Sequence, residues 1–150
     1  MPLCPSISPL RLEWIHPLLV HFPIGLLVAG TALRVIAIWL TRKFSFLLPA
    51  SRLVLVLGVL MAWTAAGAGA IAADIVGPTL CDISVLNRHS LFAVLASGGF
   101  TTGTILDLFV PKKGKVAAVI VLLVSLGLLL AVGDLGADMV YGQGAAVLKR

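Results

Sequence analysis

The chain reads as four long apolar runs separated by short stretches where prolines and charged residues gather. The first run, about 17–40, carries only His21 and Arg34 as strongly polar residues. The second, about 53–76, closes on Asp74. The third, about 89–110, is the least apolar and holds Thr101, Thr102, Thr104 and Asp107. The fourth, about 116–135, is a near-continuous series of Val, Leu, Ile and Ala. Each run reaches the roughly 20 residues a helix needs to cross the hydrocarbon core. Backbone groups in lipid have to be satisfied within their own segment. The pattern therefore predicts an all-α fold, a four-helix transmembrane bundle. Short linkers punctuated by Pro49, Pro78 and Pro111 favour antiparallel neighbours, up-down-up-down, in a single domain spanning 1–150. Spans one and three both begin with His and end near a basic loop, a weak sign of an internal two-fold repeat.

Composition narrows the function classes. Of the 150 residues, 60% are hydrophobic and 11% charged, and the mean hydropathy is +1.13. Soluble domains carry about 25% charged residues, and a 15.6 kDa chain has too much surface to hide this much hydrocarbon from water. A soluble enzyme, a nucleic-acid-binding module and a disordered tail are excluded. The net charge of +5 does not reverse this. Arg42, Lys43 and Arg52, then Lys112, Lys113 and Lys115, fall in clusters between the apolar runs. That placement belongs to a multispanning membrane protein, with the lipid bilayer as its partner and no nucleic acid. The opening MPLCPSISPLRLEW lacks a basic start followed by an apolar core, so it does not read as a signal peptide. Its Leu10, Leu12, Trp14 and Ile15 predict a short interfacial segment.

Orientation follows from the linkers. Those after spans one and three hold six of the eleven Lys and Arg residues, and cytoplasmic loops collect positive charge. The expectation is a membrane protein with both termini and the middle linker facing outward. Lys149 and Arg150 pull weakly the other way.

This topology sorts the scarce polar residues. His16, His21, Asp74, His89, Asp134, Asp138 and Tyr141 all come to the outer level. Ionisable residues at membrane depth are costly and tend to mark a site. For Asp82 and Asp138, polarity at a helix end is explanation enough. His21, about a turn inside its span, is a stronger candidate. A b-type haem in a bundle takes two neutral imidazoles from facing helices, with their rings supported by acceptors and small residues admitting the macrocycle. His21 is followed by Gly25, and His89 by Ala93, Ala96 and Ser97. Span two offers Ala65, Ala66, Gly67, Gly69, Ala72 and Ala73. His16 and His21 lie about 140° apart around a helix, so one metal would not take both. The expected metal-ligating pair is His21 with His89, with His16 capping its helix or meeting a propionate. Gly25 and Asp74 complete the candidate site.

Other readings use the same residues. Small residues also pack membrane helices with no cofactor, as in an accessory subunit of a larger respiratory or photosynthetic complex. His21, His89 and Asp74 could serve as a proton relay at a quinol site. No Ser/His/Asp grouping with a nucleophile turn, no HExxH and no phosphate loop occurs, so the chain is not expected to be an enzyme by itself. Cys4 and Cys81 fall on the outer side. They are candidates for a disulfide if that side is oxidising, or two unpaired small apolar residues otherwise.

The run His16-Pro17-Leu18-Leu19-Val20-His21-Phe22-Pro23-Ile24-Gly25 resembles the opening signature of the DUF2231 family of predicted bacterial membrane proteins. Asp74 at the end of span two, Arg88-His89, and Met139-Val140-Tyr141 followed by Gly144 are similar to the rest of that pattern. Two positions depart from it. Gln143 stands where the family often has His, and an Asn soon after the span-three His is missing. Some members carry Rieske-type or cytochrome c domains on the same chain. The resemblance thus implies a place in membrane electron transfer, with cytochrome or Rieske-type redox subunits, or a quinone, as partners.

Overall fold

The computed structural model describes residues 12–40, 42–111 and 114–145. A single 3-10 turn, Leu12–Trp14, leads into α1, Ile15–Leu40. Then come α2, Leu47–Val76, α3, Ile83–Phe109, and α4, Lys115–Ala137, which ends in a π-helical turn, Asp138–Gly142. All four helices are long and apolar enough to cross a membrane, and no strand occurs among the described residues. The exposed side chains include Phe22, Ile38, Leu60, Ile71, Leu91, Val94, Ile120 and Leu130. In water such a surface would drive aggregation; in hydrocarbon it is the ordinary exterior of a membrane bundle.

Two helices start earlier than the apolar pattern predicts, because their first turns are polar or proline-bearing. α2 begins at Leu47 rather than near Leu53, with Pro49 in its first turn. There a missing N–H has no intrahelical partner to lose. α3 begins at Ile83, six residues before His89, because Asp82 takes an extended conformation and accepts the Ser84 N–H at 2.8 Å. His89 therefore lies well inside α3 rather than at its start. α1 runs unbroken through Pro23. Hydrogen bonds from the Ser84 hydroxyl and backbone N–H hold the Asp82 carboxyl below the usual carboxylate range. A lowered folded-state pKa means the cap stabilises α3 fully above the ordinary carboxylate pKa and loses that contribution as pH falls through the lowered value. Protection of the Ser84 amide, its exchange rate taken relative to the intrinsic rate at the same pH, is expected to fall below about pH 4 in the wild type, and to be absent at every pH in Asp82→Ala.

The helices pack as two hairpins, α1 on α2 and α3 on α4, with lighter contact between the hairpins. The hairpins repeat one another residue by residue. The interval of 73 residues from Arg34 to Asp107 also separates His16 from His89, Leu27 from Phe100, Gly30 from Gly103, and Thr31 from Thr104. On the partner helices a second constant interval relates Leu55 to Leu122, Gly58 to Ser125, Ala65 to Val132, and Gly69 to Gly136.

The close approaches repeat as well. A Cβ on Gly30 would meet Leu55 Cγ at 2.9 Å, and a Cβ on Gly103 would meet Leu122 Cγ at 2.9 Å. Leu27, Leu55, Ala62, Phe100 and Leu122 form the central core. Without a hydrophobic driving force between helices in lipid, close approach through glycine is what packs such a bundle. Trp63 of α2 adds an inter-hairpin hydrogen bond, donating to Thr101 Oγ1 of α3 at 3.1 Å.

A second small core of Val85, Met139 and Ala145 closes the end where the α2–α3 linker meets the turn after α4. Gln143 ties these segments together, its Oε1 accepting the Asp82 backbone N–H at 3.0 Å. Gly144 follows with a φ of 72°, a left-handed conformation that glycine adopts without strain.

Candidate functional site

Equivalent positions of the two hairpins meet each other at two levels, as residues on a two-fold axis must. At one level stand His16 and His89, their ring centroids 6.3 Å apart and their planes at 89°. Each ring is held by the partner helix of its own hairpin. His16 Nδ1 lies 2.9 Å from the Ala65 carbonyl oxygen of α2. His89 Nδ1 lies 3.0 Å from the Val132 carbonyl oxygen of α4. A carbonyl can only accept, so Nδ1 carries the proton in both rings and the neutral form leaves Nε2 with a free lone pair.

One turn beyond each carbonyl is a glycine on which the ring rests. A Cβ on Gly69 would come to 2.8 Å from His16 Cε1, and one on Gly136 to 3.3 Å from His89 Cε1. Both histidines are half-buried. The two hairpins thus present two imidazoles in the same way, one from each.

The expected partner of His89 was His21, and the ring that meets His89 is instead His16. His21 is exposed, and its Nδ1 is taken up by the Pro17 carbonyl of its own helix at 2.8 Å. Gly25 is exposed with nothing within 4 Å of where its Cβ would stand, so it makes no room beside the histidine pair. Asp74 is exposed and lines a shallow cleft of about 520 Å³ between the end of α2 and the start of α3, with Pro78, Asn87 and Ser90. Cys81 is exposed; Cys4 and Leu10 lie outside the described residues. No group of three or more His, Cys, Asp or Glu side chains suited to a metal ion occurs among the described residues.

At the second level, near the opposite ends of α1 and α3, Arg34 meets Asp107. Arg34 Nε donates to Asp107 Oδ1 at 2.6 Å, with both side chains buried. Arg52 of α2 donates through Nε to Oδ2 at 2.9 Å and through Nη2 to the Asp107 carbonyl at 2.8 Å. Lys115 Nζ, at the start of α4, donates to that same carbonyl. All four helices converge on one acid. Sequence reasoning placed Arg34 and Asp107 inside the spans without joining them. The usable signal was their shared spacing, each standing eighteen residues after its own histidine. At 1.5 Å per residue the two levels are roughly 27 Å apart, close to the thickness of the hydrocarbon core.

Residues 13–149 match the family model described as "Predicted membrane protein (DUF2231)", and the chain belongs to that family. No curated protein and no solved structure matches it.

Proposed function

We propose that this DUF2231 member is a redox subunit of a bacterial inner membrane that holds a b-type haem between His16 and His89. The observation that carries this reading is the pair itself, two imidazoles from separate hairpins, each with Nδ1 anchored on a backbone carbonyl. Such anchoring fixes ring orientation and raises ligand basicity. The donor set fits the group. His16 and His89 would be the two protein ligands, each through the Nε2 that its anchored Nδ1 leaves free. The haem would bring its remaining ligands with it, so two histidines suffice.

When bound, the haem would supply one-electron transfer. The chain's own contribution is to orient the two rings, to keep their Nδ1 protons on Ala65 and Val132, and to enclose the site with the glycine faces of α2 and α4. The gathering of basic residues near the α1–α2 and α3–α4 linkers supports an orientation with the histidine end and both termini periplasmic. Electron partners would then be cytochrome or Rieske-type subunits, or a quinone, reaching that face.

The absorption spectrum of detergent-purified protein tests the proposal. A Soret band is expected in the wild type and in His21→Ala, and its loss is expected in both His16→Ala and His89→Ala. Colourless wild-type protein with full helical circular dichroism would sink the haem reading. The two rings would then be a clasp between hairpins in a cofactor-free accessory subunit, a role their edge-to-face contact already fits.

A further inference from the structure

The charges at the Arg34–Asp107 end do not balance. Arg34, Arg52 and Lys115 converge on a single carboxylate and its backbone carbonyl. The carbonyl lies in the last turn of α3, where the helix dipole adds at most about half a negative charge. Roughly one and a half positive charges remain. No other acid can reach them: Glu13, Asp74, Asp82, Asp134 and Asp138 all sit towards the histidine end. Arg52, 28% exposed, and half-buried Lys115 open the cluster to the outside.

The depth of the cluster is marked independently. Trp39 and Phe109 are 80% and 79% exposed at the ends of α1 and α3, and Phe44 and Phe46 are exposed in the linker beside them. A Trp at the mouth of a span, as Trp39 is, lies at the level of lipid headgroups. A guanidinium with unused donors at that depth faces phosphate oxygens, which it binds through charge-assisted hydrogen bonds.

We infer that Arg52 and Lys115, which share the Asp107 carbonyl, bind the phosphate of an anionic phospholipid headgroup, which completes the neutralisation that Asp107 begins. The occupant is a lipid because the site opens at the span end that Trp39 marks as headgroup level. The inference is independent of the haem.

The test uses the full chain in phosphatidylcholine nanodiscs containing a minor fraction of phosphatidylglycerol, with retained lipid counted by native mass spectrometry. The wild type is expected to retain phosphatidylglycerol in excess over its share of the disc. Each near-surface cation is worth about five-fold in such binding, so Arg52→Gln and Lys115→Gln are each expected to lower the excess about five-fold. Arg88→Gln, at the other end, is expected to leave it unchanged. If Arg52→Gln fails to fold, Lys115→Gln carries the test alone, because Lys115 touches the carbonyl and not the carboxylate. Equal retention of the two lipids, or undiminished excess in Lys115→Gln, overturns the inference. So does inorganic phosphate, in pure phosphatidylcholine, raising the thermal stability as much as phosphatidylglycerol does, since the site would then take a free anion.

Discussion

Asp107→Ala is expected to be the most destabilising single change in the bundle. Its carboxylate is fully buried, and one oxygen faces Arg34 Nε while the other faces Arg52 Nε. Removing it leaves a buried guanidinium with no counter-charge and a second one half-stranded. Breaking a buried pair from one side costs about 3–5 kcal/mol, more than the pair itself contributes. Unfolding by heat or by titrated dodecyl sulfate in micelles should register that loss. Asp107→Asn, which keeps the shape and removes only the charge, is expected to lose most of the same amount. A loss below about 1 kcal/mol, the size of an exposed surface pair, would mean that water or lipid already screens the cluster.

The second large effect lies in the packing. Gly30→Leu and Gly103→Leu each drive a side chain against the facing helix, whose backbone nitrogens at Leu55 and Leu122 stand 3.1 and 3.3 Å from the would-be Cβ. Backbone cannot yield as a side-chain tip can. Each substitution is expected to cost about 1–3 kcal/mol or more and to loosen its own hairpin. The two costs should be alike because the positions are equivalent. Gly25→Leu and Gly98→Leu are also an equivalent pair, and both have open space at the Cβ; they should be nearly neutral. Equal losses at all four positions would remove the argument from close approach.

Much of the architecture was legible because lipid imposes a length and a composition on every span. The starts of α2 and α3 were not, since Pro49 and the run from Ser84 to Arg88 look like linker when only apolarity is counted. The histidine site was half legible. His89 was visible, but its partner was sought among residues with small neighbours along their own helix, which favoured His21 and Gly25. What selects His16 is a carbonyl and a glycine on α2, contacts that appear only when the hairpin forms. The repeat could have supplied them. Both hairpins read His, thirteen residues, Gly-Thr, two residues, then Arg or Asp. Matching those two lines aligns His16 with His89 and Arg34 with Asp107 without any structure.

That last position makes the two hairpins unequal. A free hairpin of the first kind, pairing with its twin, would set Arg34 against Arg34 inside the membrane; one of the second kind would set Asp107 against Asp107. The histidine position tolerates self-pairing and is the same in both halves, whereas the charged position does not and differs in sign. With arginine in one half and aspartate in the other, each hairpin supplies the counter-charge that the other needs, so neither half can bury its own charged residue without its partner.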